Sequence, residues 1–169
     1  MKRREFLLGS AGALAAAGGA AALWMGRTTG PASAANQGMF EVTKTEAEWR
    51  SLLTPAQYAV LREEDTERPF TSPLNKEKRA GTFHCAGCDL PLYSSAAKYD
   101  SGTGWPSFWE ALPDAVGTRE DTSLFMVRTE CHCRRCGGHL GHIFDDGPPP
   151  TGMRHCINGL ALAFKPAQA

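Results

Sequence analysis

The sequence predicts a mainly β fold: a small antiparallel β domain stapled by a four-cysteine metal site, with short helices packed to one side. Three observations carry this expectation. Four of the six cysteines form two close pairs, Cys85-Ala-Gly-Cys88 and Cys133-Arg-Arg-Cys136. Helix-start signals are confined to residues 45–64. Beyond Gly81 the chain reads as short β-prone runs separated by loops rich in Gly and Pro.

Residues 1–34 read as an address and not as part of the fold. Arg3-Arg4 stands one residue ahead of Phe6-Leu7-Leu8, an Ala- and Gly-rich apolar run follows, and Ala32-Ser33-Ala34 offers small residues for a signal peptidase. This is similar to a twin-arginine export signal and implies an exported, periplasmic protein. The alternative is an uncleaved anchor that leaves the domain membrane-attached and facing outside the cytoplasm. The run is long enough to span but poor in strongly apolar side chains, which favours cleavage. Residues 35–44 form a linker and 45–166 the domain. Of 18 basic and 18 acidic side chains, the signal removes Lys2, Arg3, Arg4, Arg27 and Glu5. The remainder carries 14 against 17, a net charge of −3, which excludes the basic footprint of a nucleic-acid binder.

Thr45-Glu46-Ala47-Glu48 is a capping box ahead of Trp49, Leu52 and Leu53. Thr54-Pro55-Ala56-Gln57 is a second, with proline at the first helical position. Two short helices follow from these signals, and Pro69, Pro73 and Gly81 end the helical pattern. Strands are expected at 81–85, at 124–129 and along 156–164. In the last, an unbroken strand would put Cys156, Asn158, Leu160, Leu162 and Phe164 on one face. The irregular stretches 101–108 and 147–152 are candidate functional loops.

Two Cys-x-x-Cys turns, each aiming two sulfurs at one ion, complete a tetrahedron through Cys85, Cys88, Cys133 and Cys136. Zinc suits four thiolates best, and iron fits the same geometry. Four protein ligands leave no open position, so the metal is structural. Disulfides, or two separate redox motifs, are the competing readings in an exported chain. Bridges inside such short pairs are strained, and the spacing favours a shared metal.

Chemistry is therefore expected elsewhere, at Arg154-His155-Cys156-Ile157-Asn158. A neighbouring cation raises the thiolate fraction of a cysteine, as a sulfur nucleophile requires. A buried inert thiol is the plainer alternative. His139 and His142 follow the second cysteine pair directly and are candidate proton carriers, or else core histidines satisfied by hydrogen bonds. Gly104-Trp105-Pro106-Ser107-Phe108 offers an aromatic wall in a turn, a recognition surface for a small apolar group.

Taken together, the two cysteine pairs, the loop from Gly104 to Phe108, His139-Leu140-Gly141-His142-Ile143-Phe144, Asp146-Gly147-Pro148 and Arg154 to Asn158 closely resemble the B-type methionine sulfoxide reductases. The resemblance runs in order from about Trp49 to Phe164. It implies a β-sandwich-like domain with a structural zinc remote from the catalytic cysteine, and thiol-dependent reduction of the R epimer of methionine sulfoxide, free or in proteins. Cys156 would attack sulfur and become a sulfenic acid. His142 or His139 would serve the sulfoxide oxygen, Asn158 would hold that network, and Arg154 would stabilise the thiolate. Trp105 and Phe108 would receive the substrate, and a thioredoxin-like reductant would restore Cys156.

Departures from the family pattern concern recycling and the pocket. Many members carry a resolving cysteine where this chain has Thr103. Cys131 stands where an aliphatic residue is usual and is either a small buried hydrophobe or a substitute resolver. His155 replaces an aromatic residue and is expected to alter the pocket lining or lower the Cys156 pKa. A non-catalytic zinc-knuckle module shares the cysteine pairs but gives no reason for Trp105, His142 and Cys156 to occur together. A thiol oxidoreductase using Cys131 and Cys156 lacks the usual Cys-x-x-Cys helix start.

Overall fold

A computed structural model of the chain describes residues 40–123 and 126–168. The expected signal segment, most of the linker, and Leu124 and Phe125 lie outside them. Both capping boxes form as read. Thr45 opens helix α1, Glu46–Leu52, and Thr54 opens α2, Pro55–Glu63, each with reciprocal side-chain to backbone bonds. Each cap contributes about 1 kcal/mol. Trp49, Tyr58, Val60 and Leu61 turn inward from these helices. Arg62 donates to the Cys136 carbonyl at 3.1 Å, tying α2 to the second cysteine turn.

Among the described residues nine strands follow: β1 Gly81–Cys85, β2 Pro91–Ser94, β3 Lys98–Tyr99, β4 Ser107–Phe108, β5 Val116–Asp121, β6 Arg128–Cys133, β7 His139–Phe144, β8 Arg154–Ile157 and β9 Leu162–Pro166. They make two antiparallel sheets, a three-stranded one in the order β2-β1-β9 and a six-stranded one in the order β3-β4-β8-β7-β6-β5. The sheets meet through aromatic rings. Tyr93 of the small sheet stacks on Phe108 of the large one at 4.3 Å, and Phe83 meets Phe108 edge-on at 5.0 Å. All three rings are fully buried. This face-to-face packing is the sandwich that the resemblance implies.

Two strand expectations need correction. The run 156–164 is two strands in different sheets, broken at the tight helical turn Gly159–Ala161. The cause is polar capture: the buried Glu67 carboxylate accepts from Gly159 N and Leu160 N, groups that a continuous ladder would need. Apolar alternation survives the break because both halves feed the same core. The strand expected at 124–129 begins only at Arg128, and Met126 and Val127 are exposed outside it.

Antiparallel register decides which residues share a face. One row runs Tyr99, Ser107, Cys156, His142, Glu130 and Arg119 across the large sheet. The neighbouring row holds Cys131, Gly141 and Ile157, with Cys131 and Ile157 turned into the core. Gly141 is required there: at φ +154° a Cβ would stand 2.1 Å from the Cys156 carbonyl oxygen. Its absence lets β7 close on β8 beside the candidate nucleophile.

Candidate active site and metal centre

The four paired cysteines converge. All their sulfurs lie within 4.8 Å of one another, with Cys85 to Cys136 at 3.7 Å and Cys88 to Cys133 at 3.5 Å. A zinc–sulfur bond of about 2.3 Å gives a tetrahedral edge of about 3.8 Å, so the cluster already has the size of a filled site. Its chemistry also calls for a cation. Bonding from Cys136, Cys85 and Cys88 pulls Cys133 down, while the same crowding pushes Cys85 and Cys136 up. Only a bound positive charge holds all four as thiolates. The cluster joins β1 of one sheet to β6 of the other, so a metal here pins the sandwich. None of the six cysteines is in a disulfide.

Cys156 lines a separate cleft of about 130 Å³ with Trp105, His142, Asn158, Arg128 and Phe144. That volume admits a side-chain end and falls below the roughly 300–1,000 Å³ of drug-sized sites. Strand geometry puts the metal cluster about 14 Å away, two ladder spacings across and three residue rises along. The Gly104 turn sets Trp105 in place. At φ +98° a Cβ on Gly104 would meet Pro69 at 2.7 Å, and the Gly104 carbonyl accepts from Phe70 N and Asn75 Nδ2. Trp105 Nε1 donates to the Glu67 carbonyl at 3.0 Å, and Ile157 N donates to the Pro106 carbonyl. The indole is thereby fastened beside β8.

The SelR domain family matches residues 53–166. A peptide methionine sulfoxide reductase MsrB from Pseudomonas putida is 57% identical over 130 residues, which are 76% of this chain and 97% of that protein. Proteins of the same name from Thiobacillus denitrificans and Methanosarcina barkeri are 57% and 54% identical, over 73% of this chain and 94% and 88% of their own lengths. The chain belongs to the B-type methionine sulfoxide reductase family.

In this family member the histidines are oriented by carboxylates. Asp121 is held below the usual carboxylate range, chiefly by the Ser123 hydroxyl and backbone and then by His142. It therefore accepts from His142 Nε2, at 2.7 Å. That fixes the tautomer and leaves Nδ1 without a protein partner among the described residues. Burial lowers the His142 pKa, so its ring rests neutral at pH 7. His139 does not reach the cleft. It is 3% exposed, donates from Nδ1 to Glu130 at 2.8 Å, and meets the His142 ring edge-on at 5.5 Å. Glu130 is itself buried, which pushes its pKa up. His132, His139 and Arg119 outweigh that and bring it to about 2.

Arg154 shares the Cys156 face and is held by a two-pronged pair to Asp146 at 2.7 and 2.8 Å. The expected thiolate bias is only partial. Burial raises the Cys156 pKa on balance, while the Thr103 hydroxyl, 3.8 Å from Sγ, and Arg154 lower it. His155 adds nothing to that bias. It faces the core, takes a 3.2 Å bond with Tyr93, and is driven by burial to about 4, so it is uncharged. Asn158 accepts from Glu67 N at 3.0 Å and donates to the Leu140 carbonyl at 3.1 Å. It braces the cleft wall.

Phe108 needs correction as a substrate contact. It is fully buried between the sheets, one residue after Ser107 and so on the opposite face from Cys156. Phe108→Ala would cost about 3–5 kcal/mol of stability through the core. Cys131 is likewise fully buried, with its thiol 3.4 Å from the Tyr93 hydroxyl, and burial pushes its pKa to about 12. It lies two strands from Cys156 and on the other face. The α-carbons are about 10 Å apart by ladder spacing, beyond the roughly 7 Å a disulfide tolerates.

Asp121, Arg128, Glu130 and Glu67 have no local sequence signal that marks them. Each acts across strands or from a loop, and only register brings it to the histidines or the turn after Cys156. Asp121 gives a direct test. His142→Ala should slow the chemical step by on the order of a hundredfold or more. Asp121→Asn should give a smaller loss in the same direction, with unchanged circular dichroism. Single-turnover rates equal to the parent in His142→Ala would assign the proton transfer to water.

Proposed function

We propose that this chain reduces the R epimer of methionine sulfoxide to methionine, using thiols from outside the chain as the reductant. The observation that carries this reading is the single cleft in which the Cys156 thiol, Trp105 and the carboxylate-oriented His142 converge. Turnover of resolved R and S epimers, free and in peptides, tests it. A preference for the S epimer would overturn it.

The resting protonation state defines a mechanism. Cys156 is a thiol and His142 a neutral imidazole. Trp105 packs the methyl group of the sulfoxide and sets which epimer turns its oxygen toward His142. Cys156 sulfur attacks the sulfoxide sulfur while His142 relays the thiol proton to oxygen, either directly or through water. The sulfoxide gains two electrons, Cys156 loses two, and the oxygen with its proton remains on Cys156 as sulfenic acid. No proton from solution is consumed in this step. A thiol then condenses with the sulfenic acid, releasing water and leaving a mixed disulfide, which a second thiol resolves.

A one-proton dyad predicts a bell-shaped pH profile of kcat/KM. The acid limb reports His142 and should lie below its ordinary value of 6.5, because burial lowers it. The alkaline limb reports Cys156 and should lie above 9.0, because burial raises it. Arg154→Met removes a cation that favours the thiolate and should move the alkaline limb further up. A limb that moves down would contradict the role given to Arg154.

Zinc is the ion assigned to Cys85, Cys88, Cys133 and Cys136, where its closed coordination supplies folding energy and no chemistry. Recycling is assigned to a thioredoxin-like donor acting directly on Cys156, supported by Thr103 in the resolver position and by the core-facing Cys131. Mass spectrometry after one turnover without reductant should find sulfenic acid or its adduct. A Cys131–Cys156 disulfide would overturn this assignment. Thr103→Cys should instead form a disulfide with Cys156, since the Thr103 hydroxyl already touches Sγ. Export by the twin-arginine route rests on Arg3-Arg4 and the run that follows. Arg3→Lys with Arg4→Lys should retain the protein in the cytoplasm.

A further inference from the structure

A second and larger cavity, of about 250 Å³, opens beside the Cys156 cleft and shares Trp105 with it. Phe70, Asn75, Lys98 and Tyr99 also line it. Tyr99 stands in the same cross-strand row as Ser107 and Cys156, about 10 Å from the thiol at two ladder spacings. An extended chain advances about 3.3–3.6 Å per residue. About three residues of an extended polypeptide span the distance from Cys156 to this cavity.

The polar groups of the lining are incompletely satisfied. Lys98 is half-buried and makes one bond, to the Asn75 carbonyl at 3.0 Å, although an ammonium has three donors. Among the described residues no carboxylate lies within ion-pair distance of it, and burial weakens its charged form. Among the described residues the Tyr99 hydroxyl and Asn75 Oδ1, both buried, have no hydrogen-bond partner. Lys76 and Asp100 add one charge of each sign at exposed positions, and Asp100 accepts from Gly102 N at 3.0 Å. The charged side chains of the lining, Lys76, Lys98 and Asp100, thus present more cation than anion. Phe70, 73% exposed, adds an apolar surface. Nothing in the reduction at Cys156 calls for Lys98 or Phe70.

We infer that the cavity formed by Phe70, Asn75, Lys98, Tyr99 and Trp105 is a subsite for an acidic residue flanking the oxidised methionine of a polypeptide substrate. The carboxylate takes the Lys98 donors that the Asn75 carbonyl leaves unused. Charge-assisted bonds of this kind are stronger than neutral ones. The inference rests on the proposed sulfoxide reduction and adds its sequence preference.

The test uses peptides with one R-sulfoxide and a Glu, Gln or Lys placed one, two or three positions to either side. At the position that reaches the cavity, kcat/KM should follow Glu over Gln over Lys, with Glu about three- to tenfold above Gln. Lys98→Met should erase the Glu preference and Lys98→Arg should keep most of it. Turnover of the R-sulfoxide of N-acetylmethionine methyl ester, which has no flanking residue and no charge, should be the same in all three proteins. Equal rates for Glu, Gln and Lys peptides at every position would overturn the subsite. So would a Glu preference that survives Lys98→Met, or an equal loss on the blocked amino acid. Failure of the parent to reduce any R-sulfoxide, the blocked amino acid included, would instead overturn the reduction itself.

Discussion

Cys156→Ser should abolish sulfoxide reduction, with a loss of at least about 10⁴-fold, the scale seen when a covalent nucleophile is removed. The reason is chemical as well as kinetic. Oxygen transfer to a thiol makes a sulfenic acid, whereas transfer to a serine hydroxyl would have to build an oxygen–oxygen bond. The serine hydroxyl is also far less acidic, so the His142 relay has no nucleophile to activate. Stability should be preserved, because the substitution is nearly isosteric and the Thr103 hydroxyl, 3.8 Å from Sγ, can bond the new hydroxyl. Rapid-quench assays on an R-sulfoxide peptide, paired with thermal melts, separate the two effects. Measurable turnover in a folded Cys156→Ser protein would move the chemistry to another thiol.

What the sequence disclosed was local, and what it hid depended on register. Both helix starts were legible because a capping box is complete within four residues. The metal ligands were legible because each pair closes its own turn. Cys156 stood out by its basic neighbours, yet the balance of its environment was not legible: burial, a property of packing, outweighs Arg154. Phe108 stands close to Trp105 in sequence, but the alternation of β4 sends it to the opposite face from Ser107. Asp121 and Glu130 carry no local signal in the sequence. Only the pairing of β5, β6 and β7 shows that they hold His142 and His139. The break after Asn158 was hidden for the same reason, since the capturing carboxylate, Glu67, lies 92 residues earlier in the chain than Gly159.

Loss of one metal ligand should unfold the domain and not merely inactivate it. Binding at a structural thiolate site yields about 10–16 kcal/mol of apparent free energy in small zinc modules at neutral pH. The whole stability of a domain this size is about 5–15 kcal/mol. Cys133→Ser should therefore release the ion and lower the melting temperature by on the order of 20 °C or more, if a cooperative transition survives at all. Cys133 ends β6, the strand that carries Arg128, Glu130 and Cys131. Its release frees β6 from β1 at the end where the two sheets are joined, and Glu130 loses the register that sets it against His139. Activity should fall in step with unfolding, since the cluster stands about 14 Å from Cys156 and supplies no group to the cleft. Elemental analysis of the parent should give about one zinc per chain. A metal-free, active parent, or a Cys133→Ser protein that melts like the parent, would show that the sandwich holds without the ion.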